Sequence, residues 1–223
     1  MSIVKLLVLT FFITLTTHSA KPITIMLNPA GDAKTTGRQI GDSFERSITL
    51  QLCERLKKEL EKNYSVIVVL SRIAGETVAP LQQAQFSNRL GTDLYISIHV
   101  CAEQGIRNQI WFYANGTPDD MPTNSNNKSL AFTAYDQMYL QYKLSTQTIM
   151  EHTFKTCSSF PYQNIFDCFV PCFIPCKPLL GINAPAFAIE MSLKTISDWP
   201  HLVEPLVMSM QETLALLKQR NNS

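Results

Sequence analysis

Leu94-Tyr95-Ile96-Ser97-Ile98-His99 decides the fold. The stretch opens after Gly91-Thr92-Asp93, a turn signal. It then runs through β-branched, aromatic and apolar residues over the length of a strand and closes on a histidine. In open α/β sheets, ligands bind in the crevice beyond the carboxyl ends of the strands. His99 is therefore either a site residue or a core histidine with both ring nitrogens satisfied.

Outward from this strand, the chain supplies partners for it. Ile23-Thr24-Ile25-Met26-Leu27 reads as a buried strand ended by Asn28-Pro29, and Ala30 to Gly41 as a polar loop. Phe44, Ile48, Leu52, Leu56 and Leu60 recur every four residues, which gives a helix one apolar face; Asn63 ends it. Val66 to Leu70 is a second β-branched run. Strand, helix and strand of these lengths make a βαβ unit with a parallel, right-handed crossover. Pro80 to Leu90 reads as a shorter helix, Gln109 to Tyr113 as a fourth strand, and Pro118 to Lys128 as a polar surface loop. Ser129 to Lys155 reads as a long helical segment, Pro185 to Glu190 as a last strand and Pro200 to Lys218 as a closing helix. The expected fold is α/β, a single domain whose mostly parallel central sheet of about five or six strands is flanked by helices on both faces.

A chain of 223 residues suits one such domain. With 17% charged residues and a net charge of +1, it has no general electrostatic grip on nucleic acid, so none is expected as a partner, and the chain is expected to act as a monomer. Residues 1–20 have a basic start at Lys5, an apolar run from Leu6 to Thr16 and small residues up to Ala20, the pattern of a secretory signal peptide. Residues 21–223 are then the domain, exported to the periplasm or cell envelope; an uncleaved N-terminal anchor is the alternative. Cys168, Cys172 and Cys176 recur every four residues among prolines. Zinc-finger spacing is usually tighter and paired, so this segment reads as a loop with one disulfide or free thiols.

Asn28-Pro29, His99 and Glu190 all fall at strand ends on one rim of the sheet, and Glu45 sits in the first turn of the helix that starts beside it. Catalytic zinc takes three protein ligands from His and carboxylates and keeps a place for water. A separate carboxylate can then move the proton from water to a leaving nitrogen. Each residue also has a plainer role. Asp42-Ser43-Phe44-Glu45 fits a capping box, Glu190 could pair with Lys194, Asp32 could serve a turn, and His152 could be an ordinary helix residue.

The order of these pieces resembles the zinc-dependent N-acetylmuramoyl-L-alanine amidases of the type-3 amidase family, which hydrolyse cell walls. The resemblance rests on Phe44-Glu45-Arg46-Ser47-Ile48-Thr49-Leu50, Leu70-Ser71-Arg72, the run from Asn88 to His99, and the run from Ala184 to Glu190. It implies Zn²⁺ as cofactor, Glu45 and His99 as metal ligands and Glu190 as the catalytic carboxylate. The substrate it implies is peptidoglycan, cut between N-acetylmuramic acid and L-alanine. One ligand is missing: the family's first His falls on Gly31, in Asn28-Pro29-Ala30-Gly31-Asp32-Ala33. Three outcomes stay open. Asp32 could serve as the third ligand, His152 could reach in from its helix, or no metal site forms and the domain only binds its glycan-peptide ligand. Some relatives carry a helix between the metal His and the catalytic Glu that blocks the site until an activator protein moves it. The interval from Ser129 to Cys176 holds that position here. An unrelated α/β hydrolase is the remaining class, but the chain has no Gly-x-Ser-x-Gly nucleophile motif.

Overall fold

A computed structural model describes residues 21–102, 107–117, 119–120 and 133–221. The signal segment, residues 1–20, lies outside the described residues, as do most of the polar loop from 118 to 128 and the first four residues of the expected helix from 129.

The strands are β1 (Ile23–Pro29), β4 (Val66–Leu70), β5 (Leu94–Ala102), β6 (Asn108–Asn115), β7 (Phe166–Cys168), β8 (Cys172–Ile174) and β9 (Ala186–Leu193), with a small hairpin of β2 (Gln39–Ile40) and β3 (Ser43–Phe44) ahead of the first helix. The helices are α1 (Glu45–Asn63), α2 (Pro80–Leu90), α3 (Lys143–Cys157) and α4 (Val203–Asn221). The sheet has seven strands in the order β4-β1-β5-β9-β6-β7, with β8 also on β6. Strands β4, β1, β5 and β9 run parallel, as the βαβ reading requires. β6 lies antiparallel to β9, so the far edge of the sheet reverses. A strand's own residues do not encode that direction; the connection does.

Two apolar layers hold the sheet. On one face, α1, α3 and α4 pack Ile48, Leu52, Ile149, Met150, Leu206 and Met210 against Ile25, Leu27, Ile96, Ile98 and Phe112. On the other, a thinner layer of Met26, Ala84, Tyr95, Leu179, Ile182 and Ala188 forms under α2 and the Cys/Pro segment. Because side chains alternate along a strand, Ile96 and Ile98 go to the thick layer while Tyr95, Ser97 and His99 share the thin one. The site therefore belongs to the lightly covered face.

Two expectations are corrected. The long helix from Ser129 is instead a 3₁₀ turn (Tyr135–Tyr142) leading into α3. Thr153 and Cys157 of α3 are fully buried, and its His152 Nδ1 lies 2.5 Å from Glu212 Oε2 of α4. This helix packs into the layer away from His99, so His152 is not brought to the strand ends. The Cys/Pro segment is not a plain loop: it contributes β7 and β8 to the sheet edge, and all six cysteines stand as thiols.

Candidate active site

Glu45 is the first residue of α1, and Phe44 caps that helix in extended conformation without a side-chain bond. The capping box expected from Asp42 does not form. The Glu45 carboxylate instead turns into the structure, where the residue is 4% exposed. Its Oε1 accepts the Val100 backbone N–H at 3.2 Å, and its Oε2 accepts the Arg38 backbone N–H at 3.2 Å. Glu45 returns its own N–H to the Arg38 carbonyl at 2.8 Å. Burial alone would raise this carboxyl group's pKa. The His99 ring, the Arg38 N–H and the Arg38 guanidinium outweigh that and hold it below the usual value. Gly37 makes the approach possible: at φ +73°, an added Cβ would lie 2.6 Å from Glu45 Oε2.

His99 and Glu190 are directly opposite each other on β5 and β9. His99 Nδ1 lies 3.4 Å from Glu45 Oε1. Its Nε2 lies 3.0 Å from Ser97 Oγ. A directed chain leads to that contact: Ser71 donates its hydroxyl to Asn28 Oδ1 at 2.5 Å, and Asn28 donates its amide to Ser97 Oγ at 3.0 Å. A Ser97 hydroxyl donating to Nε2 fits that chain and goes with a ring proton on Nδ1, facing Glu45. Each ring nitrogen of His99 thus has a polar neighbour within 3.4 Å.

Arg38 completes the cluster, and no pattern in the sequence had singled it out. Its guanidinium donates to Glu190 Oε1 and its Nε lies 3.7 Å from Glu45 Oε2. Glu190 thus pairs with Arg38 rather than with Lys194. Burial would lower the Arg38 pKa, but the Glu190 contact raises it. Around Glu190 the thiols and phenol are held protonated. Burial and the Glu190 charge push Cys176 up to about 11 and Tyr113 up to about 12.

Asp32 is not brought to this cluster. Its Oδ1 accepts the backbone N–H groups of Lys34 at 2.9 Å and Thr35 at 2.6 Å, a turn that leaves the carboxylate exposed and lowers its pKa. At Gly31, φ is +71° and an added Cβ would lie 2.8 Å from Arg46 Cβ, so a histidine here would have to displace Arg46. Among the described residues, no group of three or more His, Cys, Asp or Glu is placed to hold a metal ion. The donors present in this arrangement do not fit the three-ligand zinc site that the resemblance implies: Glu45 and His99 are in place, but Asp32 is committed to its turn and Gly31 has no side chain to offer.

Arg72 is a second residue whose part the sequence did not disclose. Buried, it donates to the carbonyls of Pro29, Ala30 and Arg46 at 3.1, 3.1 and 2.9 Å, tying the loop after β1 to the first turn of α1. A cavity of about 840 Å³ opens elsewhere, between Arg55, Tyr64, Trp199 and Val207, and no site residue lines it.

A mainly parallel sheet with a buried Glu–His pair and a second Glu at its strand ends defines an α/β protein with a polar site at the rim of its sheet. The chain belongs to the N-acetylmuramoyl-L-alanine amidase family, whose model matches residues 25–222. It is 30% identical over 92 residues to the N-acetylmuramoyl-L-alanine amidase CwlM of Bacillus licheniformis, a match covering 41% of this chain and only 36% of CwlM. In three dimensions it is similar to an N-acetylmuramoyl-L-alanine amidase of Clostridium difficile 630, with TM-score 0.63, 20% identity, and coverage of 87% of this chain and 97% of that one. It is equally similar to the catalytic domain of CwlV from Bacillus (Paenibacillus) polymyxa var. colistinus, with TM-score 0.63, 14% identity, and coverage of 87% and 99%. At these identities the structural likeness establishes the fold.

Two outcomes test the geometry. Because the folded pKa of Glu45 is depressed, its contribution is present above the unfolded value of about 4.3 and disappears as pH falls through the folded value. Urea unfolding followed across acidic pH should show a steeper loss of stability in the native chain than in Glu45→Gln. Gly37→Ala should cost about 1–3 kcal/mol from the left-handed backbone alone, and more from the contact with Glu45, read as a lowered urea midpoint.

Proposed function

We propose that this protein hydrolyses peptidoglycan as an N-acetylmuramoyl-L-alanine amidase, cutting the amide between the lactyl group of N-acetylmuramic acid and the first L-alanine of the stem peptide. The observation that carries this is the pairing of His99 with Glu190 on adjacent strand ends, with Glu45 against His99, in a chain of the amidase family. Export to the periplasm or envelope, where that substrate lies, is part of the same proposal and rests on the pattern of residues 1–20.

Amide hydrolysis needs a base for water, an acid for the leaving nitrogen, and positive charge or donors for the carbonyl oxygen. Glu190 suits the first two. It takes a proton from water as the oxygen attacks the carbonyl carbon, and gives a proton to the departing amine. Glu45 and His99 brace each other beside it, and the Ser71–Asn28–Ser97 chain fixes the His99 ring. Trp111 lies opposite Glu190 on β6 and stacks on Phe169 with ring centroids 5.1 Å apart, a flat apolar surface suited to a sugar ring. When bound, zinc would polarise the carbonyl and acidify a water. Its donor set does not fit here, so the chain's own residues carry the proposed steps.

A second reading, a catalytically degenerate peptidoglycan-binding domain, is favoured by that same incomplete donor set. The two are separated by incubating the full chain with purified peptidoglycan and following released stem peptides by mass spectrometry. The amidase reading expects release, lowered at least about 100-fold in Glu190→Gln while co-sedimentation with the wall is kept. A native chain that sediments with the wall and releases nothing, with or without added zinc, establishes the binding reading instead.

A further inference from the structure

We propose that Arg38 is the resident cation of this site, standing in the chemistry where a metal ion would otherwise stand. The inference rests on the amidase reading for its catalytic part and on geometry alone for its metal-free part.

Three features carry it. First, the guanidinium joins the two carboxylates that matter: it donates to Glu190 Oε1, and its Nε is 3.7 Å from Glu45 Oε2. A guanidinium is planar, permanently charged, and offers five N–H donors in a fixed fork that suits carboxylates. Second, the backbone of Arg38 is pinned from both sides. Its N–H goes to Glu45 Oε2 at 3.2 Å and its C=O receives the Glu45 N–H at 2.8 Å, so the residue is delivered to the cluster by the peptide chain itself. Gly37 before it and the β2–β3 hairpin after it fix the entry and exit of that loop. Third, the alternatives for a metal are used up. Asp32 closes a turn, Gly31 offers no side chain and is crowded by Arg46, and no third His, Cys, Asp or Glu joins Glu45 and His99 in a metal-holding group among the described residues.

The side chain of Arg38 is 48% exposed, so it is not sealed into the core. A scissile carbonyl placed there would meet N–H donors as its oxygen gains charge. In the balanced step, water loses a proton to Glu190 while its oxygen bonds to the carbonyl carbon, and the C=O π pair moves to the oxygen held by Arg38. The pair then returns, the C–N bond breaks, and the amine nitrogen takes the proton from Glu190. Water and amide are consumed; carboxylic acid and amine are formed.

The test uses the full chain, stripped of metal with a chelator and then titrated with zinc against a chromophoric zinc indicator. Peptidoglycan cleavage is measured in parallel, with and without chelator. The proposal expects the native chain to take up no stoichiometric zinc and its cleavage to survive the chelator. Arg38→Ala should lose about 100-fold in kcat with a smaller change in KM, and Arg38→Lys, which keeps the charge but not the fork, should recover part of it. Circular dichroism melting of both variants separates loss of fold from loss of chemistry. One zinc ion bound per native chain, cleavage abolished by chelator, or a folded Arg38→Ala as active as the native chain would each overturn the proposal. If the native chain cuts no peptidoglycan under any condition, the amidase reading fails separately. The zinc titration then still decides the metal-free part, silence supporting it and uptake overturning it.

Discussion

The site depends on one buried carboxylate. A Glu side chain shut away from water is costly unless hydrogen bonds and positive charge replace its hydration. Glu45 finds these in the Val100 and Arg38 backbone N–H groups, the His99 ring and the Arg38 guanidinium. These partners come from two distant parts of the chain, the end of β5 and Arg38. Satisfying this single carboxylate therefore fixes the end of β5, the loop before the β2–β3 hairpin, and the start of α1 relative to one another.

The sheet extends that local constraint along the rim. Parallel pairing of β1, β5 and β9 brings Pro29, Ile98 and Ile189 into register, so that His99 and Glu190 emerge side by side just beyond. The polar chain Ser71–Asn28–Ser97 crosses three strands at this rim, where the apolar layer on its face is thin. It ends on Nε2 of the imidazole. Arg72 ties the same region together from the end of β4, donating to the carbonyls of Pro29 in β1, Ala30 in the loop after it and Arg46 in α1.

Much of this was legible in the sequence, for identifiable reasons. The four-residue recurrence from Phe44 to Leu60 and the β-branched run Val66–Leu70 carry their period openly, and both elements form there. Pro80 and Gly91 punctuate α2 at its two ends, with Gly91 at φ +61° as the left-handed cap. The juxtaposition of His99 and Glu190 followed from strand ends. What stayed hidden depends on tertiary partners. The reversal of β6 is a property of its connection, not of Gln109 to Tyr113. The short strands β7 and β8 have too few residues, among too many prolines, to show a period. Arg38 lies in a polar loop whose composition reads as solvent-facing, and only the fold shows what its guanidinium meets. Asp42 and Glu45 have the spacing of a capping box, but the helix begins at Glu45 itself, so the carboxylate is free to turn inward.

The central claim is that this rim carries its own fixed charge, Arg38, and lacks the three-ligand donor set that zinc needs. Long-range nitrogen–proton correlation NMR of the imidazole rings, with His99 assigned by comparison with a His99→Gln variant, reports this most directly. The account predicts a ring protonated at Nδ1 and accepting at Nε2, with shifts unchanged when zinc is added. A ring protonated at Nε2, or a displacement of the His99 nitrogens on zinc addition, would contradict it.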